Sequence, residues 1–167
     1  MVPHGVLFRS AAEGRIREAV LKENLLDAVI GLPEKLFSTA AIPVALLVFD
    51  LRREAGGALE AQKDILFVDA SKEFESGRNQ NTLTDAHIDK IFAAVEAREE
   101  VEKFAHLASF DEVAENGFNL NIPRYVDTFE EEEEIDLAAV QAEIDRLDTE
   151  LAETRARLRQ HLKELGI

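Results

Sequence analysis

Two short apolar runs constrain the fold of this chain more than any other feature. The first covers residues 27–31 and ends at Gly31 and Pro33, and the second, Val44–Phe49, is the most apolar run in the sequence. Runs of this length without regular polar alternation are typical of strands in a sheet that is covered on both faces. The chain is therefore predicted to be an α/β protein built around such a sheet.

The residues before the first run complete a strand–helix–strand unit. Gly5–Phe8 is predicted to be a short strand, and apolar residues between Ala12 and Leu26 recur at helical spacing. Such a unit predicts two parallel strands joined by a right-handed crossover. Residues 64–69 predict a further strand. Because the connection before it is polar and contains glycine, this strand is predicted to pair antiparallel with Val44–Phe49.

Two helix starts can be recognised further along the chain. Thr84 is predicted to cap a helix that runs to about Phe104. Ser109, followed by a glutamate three residues later, predicts a shorter helix with Gly117 just beyond its end. Residues 119–126 are predicted to be extended, and their proline argues against a central strand.

A long helix is predicted over residues 135–165, after an acidic hinge that contains five consecutive glutamates, 130–134. At 1.5 Å per residue it would be about 45 Å long, too long to pack fully on a small domain. Its heptad positions, of which seven in nine are apolar, are Leu137, Val140, Ile144, Leu147, Leu151, Thr154, Leu158, His161 and Leu165. The pattern predicts a partner helix, and packing back onto its own domain is the alternative.

The negative charge of the chain is concentrated after residue 60. Residues 1–60 hold 7 Lys/Arg and 8 Asp/Glu, residues 61–167 hold 12 and 26, and the net charge is −15. An acidic chain would bind DNA poorly, so if DNA is the substrate, a partner would supply most of the phosphate contacts. The alternative is that the negative charge serves only to keep the protein in solution. The absence of cysteine excludes disulfides, thiolate zinc sites and a cysteine nucleophile. No apolar run approaches the roughly 20 residues of a membrane span, which predicts a cytoplasmic protein.

Several separated motifs, in this order, resemble the modification subunit of type I restriction–modification systems. The motifs are VPHGVLFR (2–9), EGRIR (13–17), LLDAVIGLP (25–33), LF (36–37), IP (42–43), LVF (47–49), NQNTL (79–83) and NLNIPRYV (119–126). These subunits are N6-adenine DNA methyltransferases that use S-adenosylmethionine. The resemblance implies that this sequence is the C-terminal portion of such a subunit.

The resemblance also implies an architecture and a set of partners. Gly5–Phe8, residues 27–31 and Val44–Phe49 would be the last three strands of a Rossmann-like methyltransferase sheet, with the third strand antiparallel between the other two. Residues 1–70 would belong to the catalytic domain, 71–126 would form a helical extension, and 127–167 would be the hinge and a coiled-coil-like docking helix. The implied partners are a DNA specificity subunit, a second modification subunit, DNA held through the complex and, as a further candidate, the restriction subunit.

The sequence departs from the family pattern where the chemistry would lie. It contains neither the Gly-rich cofactor loop nor the Asn-Pro-Pro-aromatic catalytic loop. Residues 38–41 read Ser-Thr-Ala-Ala where the family usually has Tyr-Gly-Thr-Gly, and Ser10-Ala11 stands where it usually has Gly-Gly. The lost glycines remove easy access to positive φ. Because both the cofactor loop and the catalytic loop are absent, the chain is expected to be inactive alone.

The resemblance places few site residues in this chain. Phe37 would flank the target-base pocket, with ordinary core packing as the alternative. Arg9, Arg15 and Arg17 could contact DNA phosphates, with solvated surface as the alternative. No catalytic or cofactor-binding residue is predicted, since both loops are absent. No metal-ligating residue is predicted, since the histidines are not spaced as metal ligands are. The predicted subunit-docking residues are Val140, Ile144, Leu147, Leu151, Leu158 and Leu165.

Two functions remain open from the sequence. The chain is either part of an adenine methyltransferase subunit that needs its other parts for activity, or a non-catalytic binding module whose last helix docks onto a DNA specificity subunit.

Overall fold

The computed structural model describes residues 1–38, 41–128 and 137–164. The chain divides into two compact units, Met1–Phe129 and Glu130–Ile167. The first unit contains a mixed five-stranded sheet with helices, and the second contains one helix. In chain order the elements are β1 (Val2–Pro3), α1 (Gly5–Phe8), α2 (Ala12–Lys22), β2 (Leu26–Gly31), β3 (Val44–Phe49), β4 (Ile65–Asp69), α3 (Asp85–Ala97), β5 (Ala105–Ala108), α4 (Phe110–Glu115) and α5 (Leu137–Glu164), with single 3₁₀ turns at Leu51–Arg53 and Ile122–Arg124.

The order of the strands across the sheet is β1-β3-β2-β4-β5. β3 is antiparallel to both β1 and β2, whereas β2 and β4 are parallel. The three apolar runs predicted as strands are confirmed as β2, β3 and β4. The predicted antiparallel insertion of Val44–Phe49 between two strands is also confirmed, although its outer neighbour is Val2–Pro3. Because β1, β2 and β4 share a direction, their carboxyl ends lie along the same edge of the sheet.

Gly5–Phe8 is a short helix, so the prediction of a strand there is wrong. Four apolar residues are compatible with either state, because so short a run has no readable period. The helix buries Leu7 completely and leaves Phe8 largely exposed. The strand lies immediately before it, at Val2–Pro3, where only two residues pair with β3. The following helix, α2, ends at Lys22, close to Asn24, which has a positive φ of 57°.

The partner of β4 also differs from the prediction. Residues 64–69 do form a strand, but it pairs in parallel with β2 and lies on the far side of β2 from β3. The connection of residues 50–64 includes the 3₁₀ turn at Leu51–Arg53 and is long enough to carry the chain past β2. A parallel neighbour buried on both faces suits the continuous apolar sequence of β4.

The second half of the first unit contains a strand that the sequence did not predict. α3 ends at Ala97 rather than near Phe104, because Arg98 takes the left-handed conformation with φ 49°. The chain then forms β5, which pairs antiparallel with β4. The predicted cap at Ser109 is confirmed, since its Oγ accepts a hydrogen bond from the Glu112 amide at 3.1 Å, and Gly117 has φ +65°.

Both faces of the sheet are covered by apolar packing. One face packs against residues of α1, α2 and α4, and the other packs against α3. Residues 119–126 are not simply extended, because they contain the 3₁₀ turn at Ile122–Arg124, which buries Ile122 and Tyr125. The Tyr125 ring stacks on Phe67 with centroids 3.8 Å apart. Burial raises the pKa of Tyr125 to about 12.

The second unit contains α5, a 28-residue helix. The predicted long helix is present over Leu137–Glu164, whereas the five-glutamate hinge and Leu165 lie outside the described residues. Pairs one turn apart support it on its surface, including Arg146 Nη1 to Glu150 Oε1 at 3.2 Å. None of the helices in the described ranges is both long and apolar enough to cross a bilayer.

Candidate functional site

The carboxyl edge of the parallel strands contains the loop of greatest functional interest. This loop, residues 32–38, follows β2 directly and is called the Phe37 loop below. At the same edge, His4 follows β1, and its Nε2 lies 3.2 Å from the Val44 carbonyl oxygen. Asp69 ends β4, and its carboxylate accepts a hydrogen bond from the Ser71 amide at 2.9 Å. Ligand sites in sheets of this kind commonly lie outside the carboxyl ends of the strands.

An open, mostly apolar groove lies beside the Phe37 loop. Phe37 is 41% exposed at its margin, so it is not an ordinary core residue. A ring that is half exposed beside an apolar groove can present a face to a planar ligand. The groove is lined by Met1, Leu32, Leu36, Phe37, Leu46, Gln80, Asn81, Thr82 and Leu83.

The three arginines predicted to contact phosphate fall into two groups. Arg9 and Arg15 are exposed, as a phosphate contact requires. Arg17 is only 8% exposed, and its guanidinium donates hydrogen bonds to the carbonyls of Val6, Arg9 and Phe118 at 2.7, 2.8 and 3.2 Å. Burial lowers its pKa. The Arg17 side chain links α1 to the loop after α4. Because it is buried and already hydrogen-bonded, it is not available for the predicted phosphate contact.

A cluster of charged residues lies at the opposite edge, around the amino ends of β2 and β4. Asp27 Oδ1 accepts from Arg53 Nη1 at 2.6 Å and from Arg98 Nη1 at 2.7 Å. Arg98 also donates to Asp64 Oδ2 at 2.8 Å, and this bond lowers the pKa of Asp64 against the opposing effect of burial. Arg53 is fully buried and donates to Asn24 Oδ1 and to the Asp64 carbonyl. These residues are called the amino-end cluster.

His106 links three segments of the chain through two carboxylates. Its Nδ1 lies 2.6 Å from Glu100 Oε1, and its Nε2 lies 3.0 Å from Glu112 Oε1. Partial burial lowers the pKa of His106, but the bonds to both glutamates outweigh it, so the pKa is raised. Among the described residues, no group of three acidic or histidine side chains is arranged to hold a metal ion.

The predicted docking residues of α5 are exposed wherever the structure describes them. Ile144, Leu147, Leu151 and Leu158 are each about half exposed, and they recur at spacings of three, four and seven. The side chain of Val140 and the whole of Leu165 lie outside the described residues. An exposed apolar stripe of this spacing is typical of a helix that packs against another helix.

The fold matches part of the solved structures of methyltransferase subunits. A crystal structure of a type I restriction–modification methyltransferase subunit from Streptococcus thermophilus superposes with a TM-score of 0.69 and 54% identity, over 76% of this chain and 25% of that one. A chain from a study of complex assembly in a type I restriction–modification system is 20% identical over 96% of this chain, with a TM-score of 0.53, and supports the fold alone.

The sequence comparisons identify the family. The model described as N-6 DNA Methylase matches residues 1–134, so the chain belongs to that family. The methylase subunit of the type I restriction enzyme MjaVIII of Methanocaldococcus jannaschii is 32% identical over 97% of this chain and 28% of the relative. The MpnII methylase subunit of Mycoplasma pneumoniae is 30% identical over 98% of this chain and 29% of the relative. The chain thus spans less than a third of the length of these relatives.

Two groups of residues were not assigned a role from the sequence. Gln80 and Asn81 belong to a motif that resembles the family's, but their hydrogen bonds to the Phe37 loop follow only from the structure. The amino-end cluster joins residues up to 71 positions apart. Such pairs leave no local pattern, and the one available signal was an aspartate at the start of an apolar strand.

Proposed function

We propose that this chain is the C-terminal part of the modification subunit of a type I restriction–modification system, an S-adenosylmethionine-dependent DNA methyltransferase specific for the N6 of adenine. The observation that carries the proposal is the 54% identity to the Streptococcus thermophilus subunit over 76% of this chain. Such a subunit works on chromosomal DNA, so the proposed location is the cytoplasm.

The proposed division of labour follows from what this sequence contains. The chain would supply one flank of the target-base pocket through Phe37, with Arg9 and Arg15 near DNA phosphates. A flipped base needs an aromatic or apolar surface to replace its lost stacking. The cofactor loop and the Asn-Pro-Pro-aromatic loop would come from another part of the methylase, because this sequence has neither. The chain alone would therefore not transfer a methyl group.

Subunit docking is assigned to α5. Its half-exposed residues Ile144, Leu147, Leu151 and Leu158 form an apolar stripe that a partner helix would bury. The proposed partner is the DNA specificity subunit, which would also contribute most of the DNA contacts, because this chain carries a net charge of −15. A second modification subunit and the restriction subunit would join through the same complex.

The decisive experiment is reconstitution with and without this chain. The chain is mixed with a methylase segment that carries the two missing loops and with the specificity subunit, and transfer of radiolabelled methyl groups to duplex DNA is measured. We expect N6-methyladenine only when all three are present. Methyl transfer by this chain alone, or transfer that does not depend on it, would contradict the proposal.

The second candidate is a non-catalytic binding module, favoured by the apolar stripe of α5. A charge-matched pair of variants tests the docking common to both candidates. Leu147→Lys should abolish co-purification with the specificity subunit, whereas Thr149→Lys, on the exposed side opposite the stripe, should not. Docking without any dependence of methylation on the chain would favour the binding module. Equal retention of both variants would exclude the stripe as the docking surface.

A further inference from the structure

The Phe37 loop is held by hydrogen bonds from one short segment. The Asn81 amide donates to the Lys35 carbonyl at 2.9 Å, and the Asn81 side chain donates to the Glu34 carbonyl at 3.0 Å. The Gln80 side chain donates to the Leu36 carbonyl at 2.6 Å. Three consecutive carbonyls immediately before Phe37 are therefore bound by two adjacent residues.

These bonds hold a backbone that would not keep its shape unaided. Lys35, at the centre of the three carbonyls, has a φ of 56°. A non-glycine residue in that region is strained and persists only where its surroundings impose it. Asn81 is 6% exposed, and a buried carboxamide without hydrogen-bond partners would destabilise the fold. The hydrogen bonds therefore stabilise both the strained backbone at Lys35 and the buried side chain of Asn81.

The segment that supplies the bonds is itself closed tightly. Glu75 and Thr82 exchange two backbone hydrogen bonds of 2.9 and 3.0 Å, which close residues 76–81 into a turn. Within it, a Cβ on Gly77 would lie 2.2 Å from the Gln80 carbonyl oxygen, so only glycine allows the backbone to approach so closely. The turn therefore presents Gln80 and Asn81 in a fixed position.

We propose that Gln80 and Asn81 are positioning residues that set the Phe37 ring at the edge of its groove, where it receives a purine base turned out of a DNA duplex. This inference rests on the proposed function. The groove has mostly apolar walls and a half-exposed aromatic ring, which suit the face of a base. Misplacement of a reacting group by about 1 Å can lower a rate about 10²-fold, so residues that fix the position of the ring affect turnover through it.

The test uses variants that exchange one donor for an acceptor. Gln80→Glu and Asn81→Asp place a carboxylate oxygen opposite a carbonyl that had accepted a hydrogen bond. Asn79→Asp is the matched control, because Asn79 is exposed and no side-chain hydrogen bond of Asn79 is seen among the described residues. Each variant is measured in the reconstituted complex on a duplex with 2-aminopurine at the target adenine and on the unmodified duplex.

We expect Gln80→Glu and Asn81→Asp to lower kcat about 10- to 100-fold and to weaken the 2-aminopurine fluorescence increase, with the KM for DNA nearly unchanged. Asn79→Asp should leave all three unchanged. Because Gln80 is exposed, Gln80→Glu should keep the wild-type Tm, which separates positioning from loss of folding. Wild-type kcat and fluorescence in both variants, or equal losses in the control, would overturn the proposal.

An inactive wild-type complex would contradict the proposed function rather than the role of these two residues. Hydrogen exchange on the chain alone then decides the remaining point. Faster exchange of amides 34–38 in Gln80→Glu and Asn81→Asp, but not in Asn79→Asp, would support their hold on the loop. Unchanged protection in both variants would overturn it.

Discussion

The two edges of the sheet are built in opposite ways. At the amino end of β2, Asp27 is bound by two arginines, one of them fully buried, and each charge has a partner. At the carboxyl end, the Phe37 loop accepts three hydrogen bonds from Gln80 and Asn81 and borders an open, mostly apolar groove. The first arrangement fixes β2 to β4 and to the segments around them. The second leaves an open groove that could hold a ligand. We therefore expect substitutions at the amino end to affect mainly stability and substitutions at the carboxyl end to affect mainly binding.

The largest effect is expected from removing the centre of the amino-end cluster. Asp27→Ala would leave Arg53 buried without its carboxylate, and breaking a buried pair in this way typically costs about 3–5 kcal/mol. Chemical denaturation of the chain should show a loss of that size. Asp50→Ala is the control, since its partner Arg52 is exposed and solvent screens such a pair, so its removal should change stability little. Similar losses in both variants would remove the proposed difference between the edges.

A gain in stability is expected on the carboxyl side, in the connection that follows β1 and α1. Ala11 has φ 66° and ψ −119°, at a position where related sequences are expected to have glycine. Strain of about 1–3 kcal/mol exceeds the roughly 0.5–1 kcal/mol entropic cost of glycine, so Ala11→Gly should stabilise the chain by about 1 kcal/mol.

The neighbouring residue provides the control for this prediction. Ala12 lies in the first turn of α2 and carries no such strain, so Ala12→Gly should lower the free energy of unfolding by about 0.5–1 kcal/mol. Opposite signs at adjacent positions, measured by denaturant unfolding, would confirm that the strain lies at Ala11. A loss of stability in both variants would contradict it.

How far the sequence could predict these features depends on the range of the interactions. β2, β3 and β4 were predictable because each is a continuous apolar run longer than four residues. Gly5–Phe8 was misassigned because four apolar residues suit a strand and a helix equally well. β5 was missed because Ala105–Ala108 is short and includes a histidine. The parallel pairing of β4 with β2 depends on how the chain from residue 50 to residue 64 crosses the sheet, which loop composition does not reveal.

The site shows the same limit. Phe37 was predicted through a resemblance and proves to be half exposed at a groove. Arg17, predicted from the same motif as Arg15, proves to be buried, because helical spacing turns it toward α1 and the Phe118 carbonyl. The partners of Asp27 are 26 and 71 residues away. Only the folded chain brings them together.

A pH-dependent effect is expected from His106, whose cluster contrasts with the arginine pairs of the amino end. Its carboxylate partners raise the pKa of His106 in the folded protein. The stabilising contribution of His106 is therefore complete below about pH 6.5. It is lost as the pH rises from there through the folded pKa. Glu100 and Glu112 bind His106 directly, while Lys103, Tyr125 and Asp127 lie along the same cleft.

The free energy of unfolding should therefore fall with pH above 6.5, by less than the loss in Asp27→Ala. His106→Gln should flatten that slope, and Glu112→Gln should reduce it. Glu115→Gln, an exposed carboxylate on the same helix as Glu112, should leave the slope unchanged. Denaturant unfolding at closely spaced pH values measures all four proteins. An identical slope in the wild type and His106→Gln would contradict a role for this histidine.

The smallest effect on stability is expected at the carboxyl edge itself. Phe37→Leu keeps an apolar side chain at a half-exposed position, so unfolding should change by about 0.5 kcal/mol or less. Methyl transfer by the reconstituted complex should nevertheless fall, because leucine offers no aromatic face to a base. Phe92→Leu, at an exposed aromatic of α3, should change neither quantity. A loss above about 1 kcal/mol in Phe37→Leu, with turnover unchanged, would make Phe37 a packing residue and remove the functional contrast between the two edges.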